Sequence, residues 1–364
     1  MSPITESAPE SRDFQNDLPL HPAARELLHY FFDSAWPDPT KIHHRSASLR
    51  NNLNAAREVI AGHLGIRNSE LEIVGEVGFG FQVALSGLLL GSTTHLFYGA
   101  IDRQVVHGLA RQHSERGGSV TVLQPDAQGT IDYSSAHQPA NSTISWQATN
   151  REVGVMQDKP EKKDGSAIFA DMTASFPLDR LPESWDSAVW DPRTFGGPQG
   201  IALIGISGNG SWRNPGPELD KRRVYGSFSK PLLLATAVAL ENWAKSSQEE
   251  MEKIEKLHQL ISSELQKKIS SVQVVLPPKG DPRYLAFVID NVIAEEVLRK
   301  VELEGFLIDA GSACGAGALS PSHVLTSMGY KPDGNFRITL KPRHGEADCL
   351  ALVDALVKGV AAST

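Results

Sequence analysis

Two stretches of this 364-residue chain hold side chains suited to chemistry. In DAGSACGAGALSPSHVLTSMG, residues 309–329, Cys314 is set among small residues. Small neighbours leave a thiol accessible, and an accessible thiolate attacks sulfur or carbon; a buried structural cysteine is the alternative reading. Arg337 of GNFRITLKPR lies in an apolar strand pattern, where an unpaired charge is costly. Its guanidinium suits either a bidentate grip on a substrate carboxylate or a structural ion pair. Asp171 closes SAIFAD and Asn150 closes STISWQATN, which sets two polar groups at the ends of apolar strands, where ligands of α/β sheets gather. GEVGFGFQ, residues 75–82, follows a strand pattern and opens a helical one. Backbone N–H groups around Gly78 and Gly80 are then available to an anion, or the glycines simply make a turn. Cys349 has apolar neighbours at helical spacing and reads as core, and its separation from Cys314 matches neither a disulfide framework nor a zinc spacing.

Positioning these groups requires a sheet. HPAARELLHYFFDSAW and SLRNNLNAAREVIAGHLG have helical periodicity. LEIVGEV, THLFYG, SVTVLQP, STISWQA, SAIFADM, SAVWD and GIALIGI are short apolar runs, several separated by helical stretches. That alternation predicts a mostly parallel seven-stranded sheet covered on both faces. The long helical pattern beginning PLLLATAVALENW reads as a spine leading to a smaller α+β unit built from VQVVLP, YLAFVID, FLIDAGSA and FRITL with two helices. The expected organisation is a disordered tail over 1–17, a large α/β domain over 18–250 and a small domain over 251–364.

Composition narrows the partners. With 40% apolar residues the chain can bury a large core, and its net charge of −8 contains no basic block, which argues against nucleic acid and anionic membranes. The N-terminal MSPITESAPESRDFQND has no charged-then-apolar leader pattern, and no apolar run is long enough to span a bilayer, so a cytoplasmic location is expected.

From about His21 onward the chain resembles the class V aminotransferases, and within them the cysteine desulfurases that use pyridoxal phosphate. The resemblance is carried by PDPTKIHHRSASLRNNLNAAREVIAGHLG, by NREVGVMQ for an Asn-x-Glu-x-Gly turn, by FGGPQG for a Gly-Pro-x-Gly loop, and by GSACGAGALSPSHVLTSMG with FRITL. It implies a type I pyridoxal-phosphate transferase fold and a dimer, either of two copies or with a homologue. Asp171 would pair with the pyridinium nitrogen. Asn150 would touch the ring hydroxyl or the substrate, Arg337 would hold the carboxylate of a small amino acid such as cysteine, and Cys314 would carry sulfur as a persulfide towards an acceptor protein.

Departures cluster on the cofactor. Aligned on Gly197 and Pro198, the family's Ser-x-His-Lys is Asp191, Pro192, Arg193 and Thr194, and no lysine lies between Lys163 and Lys221. The Schiff-base lysine thus falls on Thr194, although a positioned acid–base group is typically worth about 10²–10⁴ in rate. The ring-stacking histidine falls on Asp102, the phosphate-binding Ala-Thr on Phe79 and Gly80, and a cofactor-contacting glutamine on Ala174. A carboxylate at Asp191, about 4 Å from a phosphate, would be repelled by roughly 4 kcal/mol per unit charge, unless Arg193 pairs with it or turns to the phosphate. In GSFSKP, Ser229 takes the place of a threonine on a loop that serves the neighbouring subunit, and Lys230 beside it could bring charge there. Two functions are therefore carried forward: a desulfurase-like protein that handles sulfur from cysteine through Cys314 with a non-standard cofactor site, and a catalytically degenerate homologue that serves an active desulfurase as partner or scaffold.

Overall fold

The computed structural model describes residues 10–15, 17–32, 37–90, 94–135, 139–175, 180–217, 224, 228–311, 322–331 and 333–363. Near-continuous apolar runs build the larger sheet from β1 (Leu71–Val74), β2 (His95–Gly99), β3 (Ser119–Leu123), β4 (Ser142–Gln147), β5 (Ala167–Asp171), β6 (Ser187–Trp190) and β7 (Ala202–Ile206). Strands β4 to β7 are buried at every residue, as expected of strands covered on both faces. Their order is β1-β7-β6-β5-β4-β2-β3. Only β7 runs against its neighbours, pairing antiparallel with both β1 and β6.

One face of the sheet is covered by α1 (Pro22–Phe32), α2 (His44–Leu64) and the start of α5 (Lys230–Lys268), whose Leu28, Ile60 and Leu240 pack with Ile144, Trp146 and Leu203. Gly65 ends α2 in the left-handed region at φ 73° and sends its N–H back to the last turn, a favourable role for glycine. The other face is covered by α3 (Val77–Ser86) and α4 (Gln104–Glu115), through Phe81, Leu85 and Val106 against Phe169, Val189 and Ile204. Helix α3 lies close to the sheet because Gly80 carries no side chain; a Cβ there would stand 3.3 Å from Val189 Cγ1.

Helix α5 has no glycine or proline after Pro231 and runs for 39 residues, through the boundary expected at 250/251. Its first half is buried in the large core at Leu233 and Leu240, and its second half in a separate core at Ile254, Ile261 and Leu265. That second core is formed with β8 (Val272–Val274), β9 (Tyr284–Ile289), α6 (Ala294–Leu303), β10 (Asp309–Ala310), β11 (Asn335–Thr339) and α8 (Glu346–Ala361). The four strands are antiparallel in the order β10-β11-β9-β8. Short α7 (His323–Ser327) stands between β10 and β11 in the chain.

The stretch expected to be a tail is docked from Glu10 onward. Phe14 donates its N–H to Leu307 O at 2.8 Å and accepts from Thr339 N at 2.6 Å, while Leu307 N reaches Arg12 O at 3.0 Å. The Phe14 ring is fully buried. A lone aromatic in a polar stretch thus anchors the segment against the small domain, and the unpaired backbone there receives it.

Candidate functional site

A cleft of about 650 Å3 opens where the C-terminal ends of β2, β4 and β5 and the start of α3 face the small domain, Gln15 and Asp17. The parallel part of the sheet brings these ends to one edge, so residues distant in sequence meet there.

Asp171 is 2% exposed and lies just behind the cleft surface, covered by two residues that do line it. Its Oδ1 accepts from Thr173 N at 2.9 Å and Thr173 Oγ1 at 2.6 Å, and its Oδ2 faces Gln147 Nε2 at 3.4 Å. Asn150 lines the cleft but is committed internally. Its Nδ2 donates to Ile101 O and Gln147 Oε1, both at 2.9 Å, and its Oδ1 accepts from the N–H groups of Glu152 at 2.9 Å and Val153 at 3.2 Å. It ties the end of β2 to the end of β4.

The amides at the start of α3 already hold an anion. Glu76 accepts from Gly78 N at 2.7 Å through Oε1 and from Phe79 N at 2.8 Å through Oε2, capping the positive end of the helix dipole with its own carboxylate. Gly78 permits this, since a Cβ there would lie 2.9 Å from Glu76 Oε2. The Phe79 side chain is 38% exposed and is absent from the cleft lining.

Beyond β6, a lattice of four charges closes one side of the cleft. Arg193 places Nε 3.0 Å from both Asp191 oxygens and Nη2 2.5 Å from Oδ2. Arg151 reaches Asp17 at 2.7 Å and Asp191 at 3.7 Å, and Arg193 reaches Asp17 at 3.5 Å. Burial pushes the Asp17 carboxyl up, and Arg151 and Arg193 more than reverse it, holding it below the ordinary carboxylate range. Of the two outcomes expected for Arg193, pairing with Asp191 is the one found. Thr194 turns its hydroxyl to Asp191 O at 2.8 Å and lines a small neighbouring cavity instead of the cleft.

From the small domain, Arg337 enters the cleft wall already paired, to Asp309 Oδ2 at 3.0 Å and Glu152 Oε2 at 3.5 Å. Glu152 also accepts a short hydrogen bond from Ser322 Oγ. Burial raises its pKa against the pull of Arg337. Cys314 lies outside the described residues, whereas Asp309 and His323, on either side of it in sequence, both line the cleft. Ser229 and Lys230 sit at the start of α5 and are not among the residues lining the cleft of their own chain; the charge of Lys230 is felt by Asp38. Cys349 is a fully buried core thiol whose pKa burial pushes up to about 12.

Asp102 forms part of the cleft floor at 1% exposure. Ser145 Oγ donates to its Oδ2 at 2.8 Å, and its Oδ1 has no hydrogen-bond partner among the described residues. Burial, with a smaller push from the Asp171 charge, raises its pKa to about 8. Next to it, Arg103 donates to Thr173 Oγ1 at 2.9 Å and lies over the Phe81 ring at 5.6 Å. Glu76, Arg103, Arg151, Asp17 and His323 escaped the sequence reading, and Glu152 entered it only as the glutamate of the Asn-x-Glu-x-Gly turn, with no role given. Only Glu76 carried a local signal, an acceptor immediately before a helix; the others are recruited across 22 or more residues of sequence.

No family model matches the chain. The cysteine desulfurase IscS of Dictyoglomus turgidum is 24% identical over 349 residues, covering 90% of this chain and 88% of the relative. A NifS-like protein of known structure superposes with a TM-score of 0.85 at 19% identity, over 96% of this chain and 99% of the other. The structure of SspA in complex with cysteine superposes with a TM-score of 0.73 at 22% identity, over 92% and 99%. The chain therefore has homologues named cysteine desulfurase and carries the class V aminotransferase, type I pyridoxal-phosphate transferase fold. Among the described residues, no helix is long and apolar enough to cross a membrane.

Proposed function

We propose that the chain is a cysteine desulfurase-like protein that admits a small amino acid such as cysteine to its cleft but has relinquished the imine chemistry of pyridoxal phosphate, and that it serves an active homologue as a partner or scaffold subunit. The observation that carries this reading is the Glu76 carboxylate on the amides of Gly78 and Phe79. A phosphate brought to the same two N–H groups would meet a negative charge at hydrogen-bond range. Pyridoxal phosphate does not fit the residues present in other respects as well. No lysine lines the cleft among the described residues, Thr194 is turned away, and Asp102 offers a carboxyl where a ring would need a stacking face.

The test uses purified full-length protein with excess pyridoxal phosphate, followed by cysteine. No cofactor absorbance should remain after gel filtration, and no sulfide should be released. A retained chromophore rejects the proposal.

A second reading, sulfur transfer through Cys314, is favoured by the position of Asp309 and His323 in the cleft lining. It requires sulfide or persulfide formation that is lost in Cys314→Ala and kept in Lys230→Ala.

A further inference from the structure

Three of the four arginines of the cleft are held by carboxylates. Arg151 and Arg193 share Asp17 and Asp191, and Arg337, the expected holder of a substrate carboxylate, is engaged by Asp309 and Glu152. Arg103 differs. Among the described residues its guanidinium makes one hydrogen bond, from Nη1 to Thr173 Oγ1 at 2.9 Å, and it meets no carboxylate at ion-pair distance. Thr173 is locked in turn, since its hydroxyl donates to Asp171 Oδ1 at 2.6 Å. Nη1 is thereby fixed, while Nε and Nη2 make no hydrogen bond to a described residue. Neither of those two nitrogens is sealed from solvent as Asp102 Oδ1 is, and Arg103 lines the cleft.

We infer that the edge of Arg103 formed by Nε and Nη2 is the carboxylate receptor of the cleft, in place of Arg337, and that its ligand is a singly charged carboxylate such as that of a small amino acid. This rests on the reading that a small amino acid enters the cleft. The chain uses the same edge for carboxylates elsewhere. Arg193 grips Asp191 through Nε and Nη2, and Arg283 grips Asp281 in the same way. Two parallel N–H groups match two carboxylate oxygens. The Phe81 ring at 5.6 Å and the bond to Thr173 already steady the guanidinium, so little ordering remains when a ligand arrives.

The balance of charge agrees. Burial first, and then the like charge of Arg151, hold the pKa of Arg103 below the ordinary guanidinium value, and Asp171 and Asp191 do not make up the deficit. Those acids are committed, Asp171 to Thr173 and Gln147 and Asp191 to Arg193. Arg193, with Asp191 hydrogen-bonded to it, is shifted the opposite way. An anion on the free edge would supply the compensation that Arg103 lacks. One uncommitted cation calls for one negative charge; a phosphate dianion would bring a second that no uncommitted arginine of the cleft meets.

Calorimetric titration of the full chain with L-cysteine, 3-mercaptopropionate and cysteamine separates carboxylate from ammonium. In the wild type both carboxylates should bind at least about tenfold more tightly than cysteamine, which lacks the charge-assisted contact. Arg103→Gln should remove that advantage, and Arg103→Lys, which keeps the charge without the fork, should restore part of it. Equimolar inorganic phosphate should not displace 3-mercaptopropionate. The wild-type comparison needs no variant to fold. Cysteamine binding as tightly as 3-mercaptopropionate, displacement by phosphate, or no binding of either carboxylate overturns the inference. So does loss of 3-mercaptopropionate binding in Arg337→Gln with none in Arg103→Gln. Binding of 3-mercaptopropionate without L-cysteine would defeat the small-amino-acid reading and leave Arg103 as a carboxylate receptor. Retention of pyridoxal phosphate would defeat the loss of imine chemistry and leave this ligand comparison decisive.

Discussion

Glu76 shows how one side chain can change what a helix terminus does. The first amides of a helix attract whatever anion is near, and an internal carboxylate two or three residues away competes at very high effective concentration. Glu76→Ala should cost about 1 kcal/mol of stability, the usual effect of losing a cap. It should also make the melting temperature rise with added inorganic phosphate, a response absent from the wild type. Thermal melts over a phosphate series read both effects, and a phosphate-insensitive Glu76→Ala protein counts against the competition. At this scale the sequence revealed positions better than partners. Asp171 and Asn150 were legible as polar groups at strand ends, Arg337 as a charge in an apolar strand pattern and Arg193 through the family resemblance alone, and all four border the cleft or lie just behind it. Their commitments were not legible, because the Arg337–Glu152 and Arg151–Asp17 pairs span 185 and 134 residues and leave no local periodicity.

Among the elements, the N-terminal segment and the turn after β11 form one unit. His344 stacks on Phe14 at 3.9 Å between ring centroids, accepts from Lys341 N through Nδ1 at 3.2 Å and donates through Nε2 to Asp13 O at 3.0 Å. That pattern needs a neutral ring. Burial, with the Lys341 charge beside it, holds the pKa of His344 down to about 4, against 6.5 for a free ring. The unfolded chain therefore takes up a proton first as the medium is acidified. Stability from this group is complete above pH 6.5 and is lost as pH falls towards 4, by up to about 3 kcal/mol. In urea unfolding at stepped pH, His344→Gln should be less stable than the wild type near neutrality, and the gap should narrow towards pH 4. A constant gap refutes the assignment. The sheet and the long α5 were readable from apolar runs and from an uninterrupted helical period. The direction of β7 was not, because a short strand buried on both faces has no sequence polarity; nor was the docking of residues 10–15, where Phe14 is one apolar residue among polar neighbours.

For the molecule as a whole, two cores joined by α5 leave apolar surface uncovered on the side of α1. Tyr30 and Phe32 are 67% and 68% exposed, and Ile42, on the turn leading to α2, is fully exposed. Helix α1 packs against α5, which begins at Lys230, and the charge of Lys230 reaches Asp38. The uncovered apolar residues and the Ser229–Lys230 corner therefore belong to one region. Large side chains left in water beside a corner expected to serve a second subunit favour an interface there over chance exposure. The chain should run as a dimer in light scattering, either with itself or, when co-expressed, with an active homologue. Phe32→Asp combined with Ile42→Asp should halve the mass. Because both positions are solvent-exposed in the single chain, the double variant should still melt cooperatively, which separates loss of the interface from loss of the fold. A wild-type protein that stays monomeric at high concentration, and ignores an active homologue, would leave the Ser229–Lys230 corner without a cleft to serve.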